Sequence, residues 1–359
     1  MTDIDVAVIG LGLAGSAAAW ALTGRGRSIT AFEAFAPGHR RGSSHGHSRI
    51  FRRAYLDPFY VDLTGRADER WRRLEDAAGE RILLRTGGLD YGEPHQPAQM
   101  ADLLAAAGVA AELVEPDVAR DRWPGLVFDG PVLFHPDAGV IDPERAIAAM
   151  TRLAIAGGAS VSYEDPVTAL ERDGDGVRLR TAHGSWRART AVVAAGGWTE
   201  SLLSGLSDLL ELPPLTVTQQ QVFFFRPYEA PAHPWATLID RGRWIYGLPE
   251  GPLVKVAEHY QGKETTADTR DDVVDPAARE RVTSYVRERM PGLEPVPQAE
   301  LTCLYTKTKD EDFVIDRRGP VVLCSACSGH GAKFAPLVGE FVADLVEGRP
   351  ALPRFALPA

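Results

Sequence analysis

Lysine is rare in this 359-residue chain and marks positions where a compact positive charge could do chemistry. It occurs at only five positions, against 34 arginines, and arginine does not replace lysine where a point-charge amine is needed. Lys255 lies between valines in the strand-like segment LVKVAEH and shares a strand face with His259. A lysine placed so either protects an exposed strand edge or supplies a functional amine.

A second candidate lies in GSSHGHSRIFRRAY, residues 42–55. The spacing predicts a helix that begins near Ser48 and carries Arg49 and Arg52 on one face. Such a pair forms either a solvated basic surface or the edge of a ligand site. The segment is half apolar and follows a glycine-serine loop, which favours the site.

The N-terminal segment has the order strand, glycine turn, helix, strand that binds a dinucleotide. Gly10, Gly12 and Gly15 form G-x-G-x-x-G after an apolar run, and Glu33 ends the second strand. The glycines allow the backbone to approach a pyrophosphate at a helix N-terminus, and the carboxylate accepts hydrogen bonds from the adenosine ribose. Glu33 argues against the 2′-phosphate of NADP, so NAD and FAD remain.

Two further units of the same kind favour FAD. Residues 190–203 and 320–348 each predict a strand, a glycine turn and a helix, far from the first unit. A nucleotide domain assembled from separated segments is typical of FAD, since NAD domains usually finish within one contiguous stretch.

Residues 216–256 are rich in β-branched and aromatic side chains and predict antiparallel strands, followed by a helix over 276–290. The predicted fold class is α/β (α+β), with a Rossmann-type FAD-binding domain and a second domain built on a mostly antiparallel sheet with helices. The predicted FAD domain is discontinuous, comprising 1–85, 140–212 and 306–359. The substrate domain comprises 86–139 and 213–305.

The composition of the chain limits the kinds of partner and ligand that we expect. The formal net charge of -10 argues against nucleic acid. Three cysteines are too few, and odd in number, for a disulfide framework, which fits a reducing cytoplasm. The chain lacks an uninterrupted apolar run of roughly twenty residues, so we expect no membrane span. The Cys324–Cys327 spacing has no second pair to complete a zinc site, so we expect no metal.

Four blocks together resemble the monomeric sarcosine oxidase and N-methyltryptophan oxidase family, flavoenzymes of the glycine oxidase and D-amino-acid oxidase class. They are the glycine fingerprint, GSSHGHSRIFRRAY, GLPEGPLVKVAEH at 247–259, and CLYTKTKDEDFVID at 303–316 with SGHGAKFAP at 328–336. The resemblance covers nearly the whole chain. Its specific parts are the cysteine block and the SGHGAKF block.

The resemblance implies FAD attached through the sulfur of Cys303 to the flavin 8-methyl carbon. From the residues alone, a lone cysteine is more often a buried core position. Arg49 and His45 would lie beside the flavin ring, with Lys333 near its N1 and C2 carbonyl. The implied cofactor contacts are Gly10, Gly12, Leu13, Ala14, Gly15, Glu33, Ser43, His45, Arg49, Cys303, Gly329, His330, Gly331 and Lys333.

The resemblance also implies roles around the substrate. A substrate carboxylate would lie on Arg52 and Lys333, and Lys255 would activate oxygen. The implied catalytic residues are Lys255, His259, Tyr305, Tyr246 and Arg49; the implied substrate contacts are Arg52, Lys333 and Tyr246. GHSR replaces the family's acidic-threonine pair before the first arginine, so the resemblance does not fix sarcosine as the substrate.

The implied reaction is oxidation of a secondary, N-methyl α-amino acid. Hydride passes to the flavin, water hydrolyses the imine, and O2 reoxidises the flavin and becomes H2O2. Two alternatives stay open: oxidation or desaturation of a cyclic imino acid such as proline, pipecolate or a biosynthetic relative, and a dehydrogenase that passes electrons to a carrier protein. The family expectation for the assembly is a monomer.

Overall fold

The computed structural model describes residues 2–229, 235–259 and 261–358, and its strands form sheets of eight, nine and three strands. The strands are β1 (Thr2–Ile9), β2 (Ile29–Phe32), β3 (Arg49–Phe51), β4 (Leu83–Arg85), β5 (Gly88–Tyr91), β6 (Glu112–Val114), β7 (Val132–His135), β8 (Gly139–Ile141), β9 (Ser160–Ser162), β10 (Ala169–Asp173), β11 (Gly176–Thr181), β12 (Gly184–Val193), β13 (Thr216–Phe225), β14 (Thr237–Asp240), β15 (Ile245–Glu250), β16 (Leu253–Glu258), β17 (Lys263–Glu264), β18 (Ala299–Lys307), β19 (Val314–Arg318) and β20 (Val321–Ser325).

The helices are α1 (Leu13–Thr23), α2 (Pro58–Ala78), α3 (Gln96–Ala106), α4 (Pro116–Arg122), α5 (Pro143–Ala156), α6 (Thr199–Leu203), α7 (Pro276–Arg289) and α8 (Ala335–Val346). Within the described ranges, no helix combines the length and apolar character needed to cross a membrane.

The eight-stranded sheet carries the predicted dinucleotide unit. Its parallel strands lie in the order β9, β2, β1, β12, β20, while the hairpin β10–β11 and strand β19 add antiparallel edges. Helices α1 and α8 pack closely, since a Cβ at Gly339 would lie 2.4 Å from the carbonyl oxygen of Ala17. The three predicted strand-turn-helix units are therefore neighbours in one layered structure.

The nine-stranded sheet is mostly antiparallel. The parallel pair β5–β14 is its exception. Along its strand β13, successive side chains point alternately into a buried cluster and toward a cavity. Phe223 and Phe225 of β13 pack in a buried cluster with Val282 and Val286 of α7. Val222 and Phe224, with side chains on the opposite face, line a cavity. The α/β fold with a mostly antiparallel second sheet is confirmed.

The domain boundaries remain a prediction. Strands of the eight-stranded sheet come from residues 2–32, 160–193 and 314–325, and those of the nine-stranded sheet from 88–135 and 216–307.

The helix predicted to begin near Ser48 is wrong. Arg49–Phe51 form strand β3, which pairs antiparallel with β8, with Ile50 opposite Val140. Isoleucine and phenylalanine suit a pleated surface, and Phe51 is completely buried, so pairing with a strand distant in sequence overrides the local helical spacing. Arg49 and Arg52 still reach the same cavity, from an extended segment.

Candidate active site

A cavity of about 1560 Å³ lies at the carboxyl ends of β1, β2, β12 and β20 and extends to one face of the nine-stranded sheet. In an open α/β sheet, the crevice beyond the carboxyl ends of the strands is where ligands bind. Every residue expected at the site lines this cavity except Gly15.

Glycine is required where β1 turns into α1. Gly10 has a φ of +87°, and a Cβ there would lie 2.7 Å from the carbonyl oxygen of Ala194. A Cβ at Gly15 would lie 1.8 Å from the carbonyl oxygen of Gly10, so Gly15 serves the packing beneath the loop. The helix start at Gly12 has no side chain of its own to cap it, and Ser44 Oγ accepts the Leu13 N–H at 3.2 Å. This loop and helix N-terminus fit a pyrophosphate.

Glu33 is fixed at the end of β2 as an ionised acceptor. The Leu11 N–H donates to its Oε2 at 2.7 Å and the Phe35 N–H to its Oε1 at 3.2 Å. Burial alone would raise the pKa of Glu33, but the bonds from His39 and the Leu11 amide outweigh it and lower the pKa. A buried carboxylate at this position fits the ribose hydroxyls of an adenosine cofactor.

Arg49 organises the loop that precedes it. Its guanidinium donates to the carbonyl oxygens of Ser43, His45 and Ser48 at 2.7–2.8 Å. His45 is buried and, among the described residues, neither ring nitrogen has a hydrogen-bond partner. Burial and the charge of Arg49 lower the pKa of His45 to about 4, so the ring is neutral. An unpaired polar ring that lines the cavity is a group that a bound cofactor could satisfy.

Lys255 is buried in the same wall, with a relative exposure of 4%. Its Nζ donates to the Ser48 carbonyl oxygen at 2.7 Å and lies 3.1 Å from Glu250 Oε2. Burial and Arg49 lower the pKa of Lys255 to about 8, against the opposing effect of Glu250. The ammonium therefore stays charged at neutral pH although it is out of contact with bulk water.

Cys303 lies on β18 opposite Gln220 of β13 and lines the cavity. Burial raises the pKa of its thiol, while Arg49 and Lys255 act in the other direction. Tyr305, two residues on, also lines the cavity, as strand alternation predicts.

The SGHGAKF block closes one end of the cavity. Gly331 has no room for a side chain, since a Cβ there would lie 1.7 Å from the carbonyl oxygen of Ala326. The ring of His330 bonds Tyr55 Oη at 3.2 Å and the Glu311 carbonyl oxygen at 3.0 Å. Lys333 is buried and donates to the His330 carbonyl oxygen at 2.8 Å. Gly329, with a φ of +70°, permits the turn that brings these groups together.

Aromatic rings gather beside the SGHGAKF block. His259 lies 3.4 Å from Tyr305 Oη through its Nδ1, and its ring centroid is 6.2 Å from that of Tyr246. Burial and the charges of Arg52 and Lys333 lower the pKa of His259 to about 3. Burial also raises the pKa of Tyr246, so both groups are uncharged at neutral pH.

Sequence reasoning missed three charged residues. Asp90 is 1% exposed, accepts from Arg241 Nη2 at 2.9 Å, and lies 3.8 Å from Arg52 Nη1. Glu250 is the third. An acid inside the apolar segment GLDY was a usable signal for Asp90, whereas the contacts of Arg241 and Glu250 depend on strand pairing. Among the described residues, no cluster of three or more metal-ligating side chains occurs.

Known proteins resemble this chain over nearly its full length. Residues 5–345 match the family model described as FAD dependent oxidoreductase. A monomeric sarcosine oxidase of Streptomyces avermitilis is 36% identical, covering 95% of this chain and 93% of its own. An N-methyl-L-tryptophan oxidase of Citrobacter koseri is 30% identical, covering 96% and 95%.

Solved structures agree with the sequence matches. The open form of NikD, described as an unusual amino acid oxidase essential for nikkomycin biosynthesis, superposes with a TM-score of 0.89 at 25% identity, over 99% of this chain and 98% of its own. An L-proline dehydrogenase of P. horikoshii, at 22% identity and a TM-score of 0.85, shares the fold. These matches are consistent with the cavity and the glycine loop. The chain belongs to the FAD-dependent oxidoreductases and is an amine or amino acid oxidase of the sarcosine oxidase family.

Proposed function

We propose that this enzyme oxidises the C–N bond of a secondary, N-methyl α-amino acid and uses O2 as the electron acceptor. The observation that carries the proposal is a pair of basic side chains, the partly buried Arg52 and the buried Lys333. Both lie over the ring of Tyr55, and within the described chain neither has a carboxylate within hydrogen-bond distance.

An amino acid carboxylate supplies an anion within hydrogen-bond distance of this pair, which Asp90, 3.8 Å from Arg52 Nη1, does not. Arg52 offers a planar fork of donors, and Lys333 offers a compact ammonium whose charge the bound anion stabilises. With the carboxylate held there, the α-carbon and the nitrogen lie among the aromatic side chains of Tyr246, Tyr305 and His259. The same positive field disfavours a protonated substrate amine, and oxidation requires the neutral amine.

FAD, when bound, would accept the hydride that the substrate loses, and with it the two electrons of the oxidation. Gly10, Gly12 and Glu33 would hold its adenosine half, and Arg49 and His45 would contact its ring system. The oxidised substrate is an imine, which water hydrolyses, and an N-methyl substrate thereby yields formaldehyde. Dioxygen takes up two electrons and two protons and leaves as H2O2, with the charged Lys255 opposing the negative charge that develops.

We also propose that Cys303 holds the flavin through its sulfur. Support comes from its position on the cavity wall beside Arg49 and Lys255, and from the CLYT motif that it begins. We expect the enzyme to act as a monomer, as the names of its sarcosine oxidase relatives say of them. The free state of its three cysteines supports a cytoplasmic location.

A cyclic imino acid is the second candidate substrate. Its support is the set of flat rings at the substrate end, where the Trp244 and His259 rings lie nearly parallel with centroids 6.5 Å apart. The test is a panel of N-methyl and cyclic amino acids, scored by loss of the oxidised flavin absorbance under anaerobic conditions. Formaldehyde release separates the two classes, since only N-demethylation produces it.

A further inference from the structure

A carboxylate is built into the wall of the cavity beside Lys255. Glu250 ends β15, and the register pairs it with Leu253 and pairs Leu248 with Lys255. Glu250 is therefore the diagonal neighbour of Lys255 on one face of the hairpin, within reach of long side chains. Gly251, with a φ of +60°, makes the tight turn that sets this register.

Ser48 joins the pair into a closed group. Its hydroxyl donates to Glu250 Oε2, and its carbonyl oxygen accepts from Lys255 Nζ at 2.7 Å. An ammonium has three donors, of which Glu250 and Ser48 take two. These two contacts fix the direction of the third N–H, on a side chain that lines the cavity.

The surroundings of Lys255 otherwise largely oppose its charge. Burial and Arg49, which faces it from β3, act against the ammonium, whereas Cys303 on β18 favours it. The buried His45 faces it from the preceding loop as a neutral ring. Glu250 is the carboxylate that faces it among these groups. Without that carboxylate, burial and Arg49 would lower the pKa of Lys255 further, so the side chain would lose its proton at a lower pH.

We propose that Glu250 is a positioning residue that keeps Lys255 charged and directed into the cavity, so that its charge is available where dioxygen is reduced. This inference rests on the proposed function, which gives Lys255 that role. A neutral lysine cannot stabilise the negative charge that dioxygen acquires with its first electron. Glu250 thus sets the upper pH limit of rapid reoxidation.

The first test measures the charge itself in the holoenzyme. With only five lysines, ¹³Cε/¹⁵Nζ-labelled lysine gives a simple NMR spectrum, and Lys255→Met identifies the signal of interest. We expect the wild-type Lys255 signal to titrate near pH 8 and the Glu250→Gln signal at least about one pH unit lower. The matched control is Glu258→Gln, which removes a carboxylate of the same hairpin that pairs with Arg281, and leaves the titration unchanged.

The second test follows reoxidation without any substrate. The flavin is reduced with dithionite and mixed with oxygenated buffer, and the return of absorbance is timed across pH. We expect Glu250→Gln to be slower than wild type by at least about fivefold at pH 8, as the smaller charged fraction of Lys255 requires, and to recover as the pH falls. If the proposed amine oxidation is wrong, no amino acid will reduce the flavin. The lysine titration and the reoxidation after dithionite can still be measured in that case, so the two failures are distinguishable.

An unchanged Lys255 titration and an unchanged pH profile in Glu250→Gln would overturn the inference. A loss of reoxidation that is equal at every pH also contradicts it, because that pattern reports damage to the site and not a change of charge. If Glu250→Gln does not fold, Glu250→Asp is measured instead. It keeps the charge with a shorter reach and is expected to give a smaller shift in the same direction; a wild-type profile there counts against the inference.

Discussion

Arg52 and Lys333 both lie over the ring of Tyr55, with the guanidinium carbon 4.5 Å and the ammonium nitrogen 5.6 Å from its centroid. Burial and the charge of Arg52 lower the pKa of Lys333 well below its ordinary value. Asp90 is ionised, because Arg241 and Arg52 outweigh the effect of its burial, and the two guanidinium groups share its charge. A carboxylate that enters the cavity can therefore bind both Lys333 and Arg52.

Replacing Arg52 by Met should weaken binding of the substrate carboxylate. Loss of a charge-assisted hydrogen bond costs about 2 kcal/mol, which corresponds to a rise of about 30-fold in KM. Steady-state kinetics with the best amino acid substrate measures the change. Arg72→Met, which removes an exposed arginine of α2 paired with Asp68, is the control and should leave KM unchanged.

Binding of the carboxylate should be accompanied by proton uptake. The lowered pKa of Lys333 rises when an anion binds beside it, so affinity should fall as the pH increases through the pKa of the free enzyme. Calorimetry of a substrate-like carboxylate in buffers of different ionisation enthalpy measures the proton count. Binding with no proton exchange and no pH dependence would show that Lys333 does not hold the carboxylate.

Replacing Lys255 by Met should slow reoxidation by about 10²–10³-fold and leave reduction by substrate nearly unchanged. Stopped-flow absorbance of the two half-reactions separates the effects. Lys263→Met, which removes an exposed lysine paired with Asp271, is the matched control. Unchanged reoxidation in Lys255→Met would favour the dehydrogenase alternative, with Lys255 as a structural residue.

Acid should destabilise the protein below about pH 6.5. The buried rings of His45, His259 and His330 have pKa values lowered to about 4, 3 and 3, chiefly by burial. Their pKa values are lower in the folded than in the unfolded chain, so the unfolded chain takes up protons first and stability is lost as the pH falls from about 6.5 toward 4. Each histidine contributes up to about 1.4 kcal/mol per pH unit. Thermal melts across this range should flatten in His45→Asn, and an identical slope would contradict the assignment.

The attachment of the flavin can be read from its colour. Acid denaturation and removal of small molecules should leave the wild-type polypeptide yellow, because a thioether to Cys303 survives unfolding. Cys303→Ser should release its flavin under the same treatment, and Cys324→Ser should keep it. A colourless wild-type polypeptide would show that FAD is held without a covalent bond.

The glycine loop and Glu33 could be predicted from the sequence because these features depend on local spacing along one strand-turn-helix unit. The common strand face of Cys303 and Tyr305 could also be predicted, because it follows from strand alternation. The residues around Arg49 predict a helix and form strand β3, because the pairing partner of β3 lies far along the chain and leaves no local signal. Asp90 and Arg241 meet only because β5 and β14 pair in parallel, and Glu250 meets Lys255 only through the register of one hairpin. Contacts made by tertiary pairing leave no periodic pattern in the residues.

Oxidation of a secondary amino acid with O2 has a fixed stoichiometry, which can be measured in the holoenzyme. The holoenzyme is mixed anaerobically with N-methyl and cyclic amino acids, then with O2, while flavin absorbance, H2O2 and formaldehyde are measured. We expect an N-methyl amino acid to bleach the flavin and to yield one H2O2 and one formaldehyde per turnover. Flavin that stays oxidised with every secondary amino acid, or reduced flavin that gives no H2O2, would contradict the proposed function.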